Sequence, residues 1–340
     1  MIVLGIESSC DETSVGIVED GRNLMANVVA SQVDIHARYG GIVPEVASRQ
    51  HVLQIVPTIE NALLKSKLSL EDIDSIAVTY APGLLGALMV GVNAAKALAF
   101  TKNKNFLGVH HLEGHVYASW LEKIDPSSEP GFPLLCLIAS GAHTDLIVMS
   151  DHGKYNVIGR TRDDAAGEAF DKAARLLGLG FPGGPAIQKV AHNIKPEISL
   201  PRAWMGDTFD FSFSGLKTAV LHKAQEKGLY PPPPHGISAD EVAKMAAAFQ
   251  EAVVDVMIKK AIRAVKDYKV KGLLLGGGVA ANSLLREEAI KQSPVPVLIP
   301  SPVLCTDNGA MIAAAAYFRL RQGETHQFDL DPKSSLSMAS

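Results

Sequence analysis

The chain has 340 residues, of which 47% are hydrophobic and 20% charged, an ordinary globular composition that excludes a disordered polypeptide. At roughly 100–200 residues per domain, this length fits one large or two medium domains. With 32 Lys and Arg against 36 Asp and Glu, the formal net charge of -4 argues against a chain-wide nucleic-acid binder, so such a partner must be held by a local patch or with help.

Cys10, Cys136 and Cys305 are too few and too scattered for a disulfide framework or a CxxC clip, so a reducing compartment is expected. The N-terminus has no basic segment and reaches an acidic cluster at Asp11, so it reads as a strand rather than a signal peptide. No apolar run approaches the ~20 residues of a membrane span, and a soluble, cytoplasmic protein without a membrane partner is expected.

Residues 2–6 form a short apolar run, 7–13 a small polar stretch, and 15–18 a second apolar run before a turn at 19–21. This is the pattern of a β-hairpin displaying polar groups at its tip. Residues 44–65 have apolar positions near helical spacing, 73–79 read as a strand, 84–100 as a small-residue helix and 106–109 as a strand. Turn chemistry over 125–133 marks a boundary between lobes. After it the opening theme recurs: an apolar strand at 134–138, a polar tip at 139–143 and a return strand at 146–149. Two lobes each led by such a hairpin suggest an internal duplication, unless the two hairpins are unrelated. Further on come an amphipathic helix at 164–177, an FPGGP turn at 181–185 and a proline-rich loop at 230–236. Ser238 and Glu241 form a capping box for a long helix to about residue 268. Strands follow at 273–275 and 295–299, then an alanine-rich helix capped by Asp307 or Asn308, and a poorly ordered tail from about residue 329. Alternating strands and helices make the fold class α/β.

On a helix, His111 and His115 lie one turn apart and can share a metal ion; otherwise they are core or capping histidines. Glu113 stands between them rather than beside the first, unlike the HExxH arrangement of metallopeptidases. A third ligand would come from a carboxylate such as Asp307, whose other role would be a helix cap. GGGVAAN at 276–282 joins a buried strand to a helix and is neither a Walker loop nor GxGxxG. It would admit a ligand close to the backbone or simply make a tight turn. The tip from Ser140 to Thr144 suits an anion, and the tip at 7–13 adds Asp11 and Glu12. Asp164, Glu168 and Asp171 share one helix face, either functionally or as solvated charge. In FDFSFSGLKT at 209–218, aromatic residues alternate with small polar ones, as in a nucleobase or RNA site or an edge strand with a buried aromatic face. Paired hairpin tips with a glycine loop resemble the grip on ATP of the actin, sugar-kinase and Hsp70 fold.

GIESSCDET (5–13), YGGIVPE (39–45), APGL (81–84), HHLEGH (110–115), DDAAGEAFDK (163–172), FPGGP (181–185), FDFSFSGLKTAV (209–220), GGGVAAN (276–282) and CTDNGAM (305–311) together resemble the tRNA N6-adenosine threonylcarbamoyltransferase family, once described as glycoproteases. The resemblance runs in order to about residue 316. It implies a two-lobed actin-like ATPase fold, with lobes at 1–125 and 134–328 (part of the C-terminal helix packing back on the first) and a flexible tail at 329–340. It implies transfer of a threonylcarbamoyl group from threonylcarbamoyl-AMP to N6 of adenosine 37 in tRNAs reading ANN codons, with ATP or ADP as related nucleotides. The implied ligands of one iron or zinc ion are His111, His115 and Asp307. The implied substrate contacts are Ile138, Ala139, Ser140, Gly141, Ala142, Asp171, Gly184 and Asn282, and the general base would be Asp11 or Glu12. The implied partners are tRNA, a paralogous inactive actin-like subunit, a small P-loop ATPase and an upstream threonylcarbamoyl-AMP synthase. Two positions depart from the family: Ala142 replaces the second glycine of Ser-Gly-Gly-His-Thr, and Gln188 stands where many members have Asp. A small-molecule kinase of the same fold, a metallopeptidase and a non-catalytic scaffold are the alternatives. With so acidic a chain, tRNA would meet a local basic rim, including Arg160, Arg162, Arg202 and Lys217, completed by partner subunits.

Overall fold

In the computed structural model, residues 1–121, 129–231 and 238–338 are described; parts of the boundary turn at 125–133, the proline-rich loop at 230–236 and the tail end lie outside them. The chain divides into two compact units, Met1–Glu129 with Asp151–Tyr155 and Pro300–Ser340, and Pro130–Ser150 with Asn156–Ile299.

In unit 1, β1 (Ile2–Glu7), β2 (Glu12–Glu19) and β3 (Asn23–Ser31) form an antiparallel meander. Helix α1 (Val33–Ala37) and helix α2 (Pro44–Ser66) follow, then β4 (Ser75–Ala81), α3 (Leu85–Thr101), β5 (Asn105–His110) and α4 (His111–Tyr117). The strand order is β3-β2-β1-β4-β5, with β4 and β5 parallel to β1. In unit 2, β6 (Leu134–Ala139) pairs antiparallel with β7 (Thr144–Asp151), which leads to β8 (Lys154–Arg160). Helices α5 (Ala166–Leu176), α6 (Gly183–Ala191), α7 (Ser214–Glu226) and α8 (Ala239–Asp267) precede β9 (Gly272–Gly276), α9 (Ser283–Gln292) and β10 (Val297–Leu298). Helices α10 (Pro302–Cys305) and α11 (Gly309–Arg321) return to unit 1.

Counted from its outer hairpin strand, the second sheet runs β8-β7-β6-β9-β10, and β9 is parallel to β6 as β4 is to β1. Both five-stranded sheets therefore have one plan: a central strand, an antiparallel meander on one side and parallel strands on the other. The central strands IVLGIE and LLCLIA are nearly all buried, as expected where both faces are covered.

Small residues decide where α11 lies. Gly5 and Gly16 are partners across β1 and β2. A Cβ on Gly16 would sit 2.1 Å from the Ala310 nitrogen, so the helix start can touch the hairpin only where both lack side chains. Ser14 Oγ accepts from the Gly309 N–H at 2.8 Å, which fixes the contact. Residues 329–338 depart from the expected disordered tail. Lys333 N–H donates to the Tyr80 carbonyl and Gly83 N–H to the Ser334 carbonyl, while His110 Nε2 bonds the Leu336 carbonyl. These bonds engage the tail's backbone, so its side chains carry no pattern announcing them.

Candidate functional site

Strand β5 runs directly into α4, whose first residue is His111 and whose fifth is His115. One turn apart, the rings lie 4.7 Å apart at 80°, both buried in unit 1. At the other end of the sequence, Asn308 caps α11 by accepting from the Met311 N–H at 2.9 Å. The neighbouring Asp307 is thus not the cap, and its Oδ1 lies 3.1 Å from His115 Nε2 and 3.6 Å from His111 Nε2. One donor atom from each of the three lies within 4.8 Å of the others.

His115 is fully buried and neither ring nitrogen makes an aligned hydrogen bond: Nε2 faces the Asp307 carboxylate at 3.1 Å, and Nδ1 has no hydrogen-bond partner. Leaving such atoms unsatisfied costs roughly 1–3 kcal/mol. Two imidazole nitrogens and one carboxylate oxygen, facing one point, fit a divalent transition metal with positions left for further ligands. Asp307 remains 21% exposed, which gives an entry side.

Behind the histidines stands Glu7, a carboxylate with no exposure at the end of an apolar strand. Its Oε2 lies 3.0 Å from His111 Nδ1 and accepts from Thr79 Oγ1, while Oε1 accepts from the Ser9 N–H. A carboxylate at Nδ1 puts the proton there and leaves Nε2 free to ligate. Burial lowers the His111 pKa, but the Asp307 and Glu7 carboxylates more than offset it, holding it up at about 9.

Asp11 and Glu12 occupy the β1–β2 tip, as expected. Burial, followed by repulsion from Asp11 and Asp307, pushes the Glu12 carboxyl up to about 10. The tip is tied to α2 by His51, whose Nδ1 lies 2.7 Å from Thr13 Oγ1 and whose Nε2 lies 3.1 Å from the Cys10 carbonyl. Because that carbonyl can only accept, Nε2 carries the proton and Nδ1 accepts from Thr13. Glu113 faces away from the metal triad. It receives the Tyr155 hydroxyl at 2.9 Å and pairs with Arg319 at 3.3 Å, so it serves inside the fold and not as a peptidase base.

In unit 2, Ile138 and Ala139 end β6, and the half-buried Ser140 with the exposed Gly141 and Ala142 form the tip that follows. His143 N–H donates to Ser140 Oγ at 3.2 Å and Ser140 N–H to the His143 carbonyl at 2.8 Å, closing the turn. Ala142 does not take a left-handed backbone, so its methyl is accommodated. Gly277 is left-handed, with φ +86°, and a Cβ there would lie 2.3 Å from the Ala139 oxygen; only glycine lets the loop after β9 reach the end of β6. Gly167 of α5 donates to the Ser140 carbonyl at 3.1 Å. One turn on, Asp171 accepts from the Gly183 N–H at 2.6 Å, which sets the turn carrying Gly184. Asn282 caps α9 through Leu285 N–H and donates to Gln250 Oε1 at 2.8 Å. Gln188 accepts from Ser283 N–H at 2.7 Å and so fastens α6 to the same loop. Contacts thus link the end of β6 to α5 and to the loop after β9, α5 to the turn before α6, and α6 to Ser283 beside Asn282.

Some expectations change. Helix α5 begins at Ala166, so Asp164 precedes it, and Lys172 bridges Asp164 and Glu168. Arg162 pairs with Asp210, and Arg202 with Glu251 and Asp255, so neither is a free cation. Sequence reasoning placed Glu7 in the displayed tip and overlooked His51 and Gln250. An acidic residue closing an otherwise apolar strand was the available signal for Glu7.

The tRNA N6-adenosine threonylcarbamoyltransferase family model matches residues 23–314. The chain belongs to this family. Family members named tRNA N6-adenosine threonylcarbamoyltransferase include those of Thermomicrobium roseum, 52% identical over 99% of this chain and 97% of the relative, and Dehalococcoides mccartyi, 52% identical over the whole of both chains. The Bacillus cereus relative is 50% identical, covering 99% of this chain and 96% of its own. Among solved structures, HypF from T. kodakarensis is similar at a TM-score of 0.61 and 14% identity, over 94% of this chain and 48% of that one. The activator of 2-hydroxyisocaproyl-CoA dehydratase from Clostridium difficile is similar at 0.55 and 14% identity, covering 95% and 97%. These two likenesses establish the actin-like ATPase fold shared by the two sheets.

Proposed function

We propose that the chain transfers the threonylcarbamoyl group of threonylcarbamoyl-AMP to N6 of adenosine 37 in tRNA, with AMP leaving. The observation that carries this reading is the buried convergence of His111, His115 and Asp307, in which neither His115 ring nitrogen makes an aligned hydrogen bond, in a member of this family. A divalent ion held there, iron(II) or zinc, would supply Lewis-acid polarisation of the donor's carbonyl.

The chain's own residues do the rest. The N6 lone pair attacks the carbamoyl carbon; the C–N bond forms, the bond from that carbon to the phosphate oxygen breaks, and AMP takes the electron pair. The proton lost by N6 goes to the Asp11 carboxylate. Glu12, holding its proton to about 10, donates a hydrogen bond rather than accepting the proton. In unit 2, the Gly141 and Ala142 N–H groups are free among the described residues and suit the AMP phosphate. Gly278 and Gly184 face open space, where the nucleoside would lie against backbone.

The paralogous actin-like partner would dock on unit 1, where Val52, Leu53 and Val56 of α2 and Leu85 and Met89 of the adjoining α3 are 47–63% exposed. No described helix is long and apolar enough to cross a membrane. The cytoplasm, where tRNA is processed and free thiols persist, is the fitting compartment, with the P-loop ATPase and the adenylate synthase supplying energy and donor.

The test incubates purified protein and its partners with threonylcarbamoyl-AMP and unmodified tRNA, then analyses nucleosides by mass spectrometry. Threonylcarbamoyladenosine and AMP are expected. Absence of the modified nucleoside, or ADP release from a small hydroxylated substrate instead, would contradict the reading and favour a kinase.

A further inference from the structure

Of the basic rim expected at Arg160, Arg162, Arg202 and Lys217, Arg162 and Arg202 are neutralised by ion pairs, and unit 2 carries another concentration of positive charge. Residues 259–271 hold six cations, Lys259, Lys260, Arg263, Lys266, Lys269 and Lys271, against the single carboxylate Asp267, in a chain of net charge -4. Burial sorts these six by role. Lys260 turns inward, donating to the Asp210 carbonyl, with its Nζ 5.4 Å from the centre of the Phe211 ring. Arg263 fastens a loop: it donates to the Asp207 and Thr208 carbonyls at 3.0 and 2.9 Å and stacks 4.2 Å over the Phe209 ring. Lys259, one turn earlier, pairs with Asp255 and places its Nζ 5.7 Å from the centre of the Trp204 ring. Lys266, Lys269 and Lys271 are exposed and have no ion pair among the described residues.

The same surface carries two rings that the fold leaves uncovered. Trp204 is 41% and Tyr268 40% exposed, and Tyr268 lies 6.0 Å from Phe209. Arg263 therefore holds the loop against α8, with the Trp204 indole beside the paired Lys259 and the Tyr268 phenol between Lys266 and Lys269 in the sequence. An acidic protein would match the lysines without needing the rings. Flat aromatic faces next to cations are what unpaired bases and their phosphates require.

We propose that this surface, formed by the 204–209 loop, the last turns of α8 and residues 268–271, binds the RNA substrate away from its reacting nucleotide. The proposal rests on the tRNA reading above and adds where unit 2 would hold it. Along α8, Gln250 bonds Asn282 at the glycine loop, and Arg263 lies 13 residues further, about 20 Å at 1.5 Å per residue.

The test measures binding of the full chain to unmodified tRNA transcript by fluorescence anisotropy between about 50 and 200 mM salt. Lys266→Gln/Lys269→Gln/Lys271→Gln is expected to weaken binding and to flatten the slope of log K against log salt by about 2–3. Trp204→Ala is expected to lose roughly tenfold in affinity at an unchanged slope, because stacking releases no counterions. Lys65→Gln/Lys67→Gln/Lys96→Gln in unit 1 removes the same charge and should change neither quantity. An unchanged slope in the first triple variant, an equal loss in the control, or no tRNA binding by the unaltered chain at the lowest salt overturns the proposal. So does binding of this surface to anionic lipid vesicles in place of tRNA. Failure of the transferase reading looks different: tRNA bound through these lysines, with no modified nucleoside formed.

Discussion

Replacing Glu7 by Gln removes one charge and changes almost no volume, yet it should loosen the metal centre without a direct ligand being touched. In the native arrangement Glu7 Oε2 stands 3.0 Å from His111 Nδ1, and Thr79 and the Ser9 N–H occupy the remaining acceptor sites. With a Gln amide facing His111, Nδ1 becomes the acceptor and the ring proton moves to Nε2, the nitrogen 3.6 Å from Asp307. That nitrogen can no longer ligate without losing its proton. Loss of such a carboxylate behind a ligand costs roughly 10- to 100-fold in metal affinity, or about 1.4–2.7 kcal/mol. Isothermal titration of metal-stripped protein with zinc, alongside thermal melting of the stripped forms, separates binding from folding. An unchanged dissociation constant in Glu7→Gln would refute the reasoning, whereas a matching loss in the melting temperature alone would assign Glu7 only to the core.

His111 keeps its proton to about 9, so below that pH each metal bound must displace one proton. Apparent affinity should rise about tenfold per pH unit from 6.5 towards 9 and then level off, and calorimetry in buffers of different ionisation enthalpy should count the proton released. For the stripped protein the sign is opposite: the pKa is raised on folding, so the stability from the His111 ion pairs is complete below about 6.5 and is lost as pH rises through about 9. Asp11→Asn should lower kcat by two orders of magnitude or more with metal content unchanged, as expected for a lost general base; Glu12→Gln should retain most activity and a melting temperature at least equal to the native one, because it removes a carboxyl already held neutral. Gly277→Ala should destabilise the protein by about 1–2 kcal/mol for the left-handed backbone alone, and more from the clash with the Ala139 oxygen, measurable by chemical denaturation.

Elements with strong periodicity or composition were readable in the sequence: both hairpins, the Ser238-capped α8 and the strand into HHLEGH all lie where the pattern puts them. The duplication was suggested by two short hairpins and is carried fully only by the matching strand orders, since pairing between strands far apart leaves no local mark. The histidines were legible because a helix places i and i+4 on one face. The choice between metal ligand and cap at Asp307 was not, since both roles suit a carboxylate before a helix, and only the Asn308 bond to Met311 separates them. Glu7, His51 and Gln250 act through partners 104, 41 and 32 residues distant, which no spacing rule reaches. The paired arginines failed for the same reason: Glu251 and Asp255, which neutralise Arg202, lie two helices further along the chain.

The central claim is that threonylcarbamoyl transfer depends on the His111, His115 and Asp307 centre. Its most direct test strips the metal with chelator, returns iron(II) or zinc in steps, and follows modified adenosine in tRNA against metal bound. The account predicts that activity rises in proportion to occupancy and saturates at one ion per chain, while folded His115→Ala neither retains the ion nor transfers. Full transfer by the stripped protein, or by His115→Ala, would contradict it.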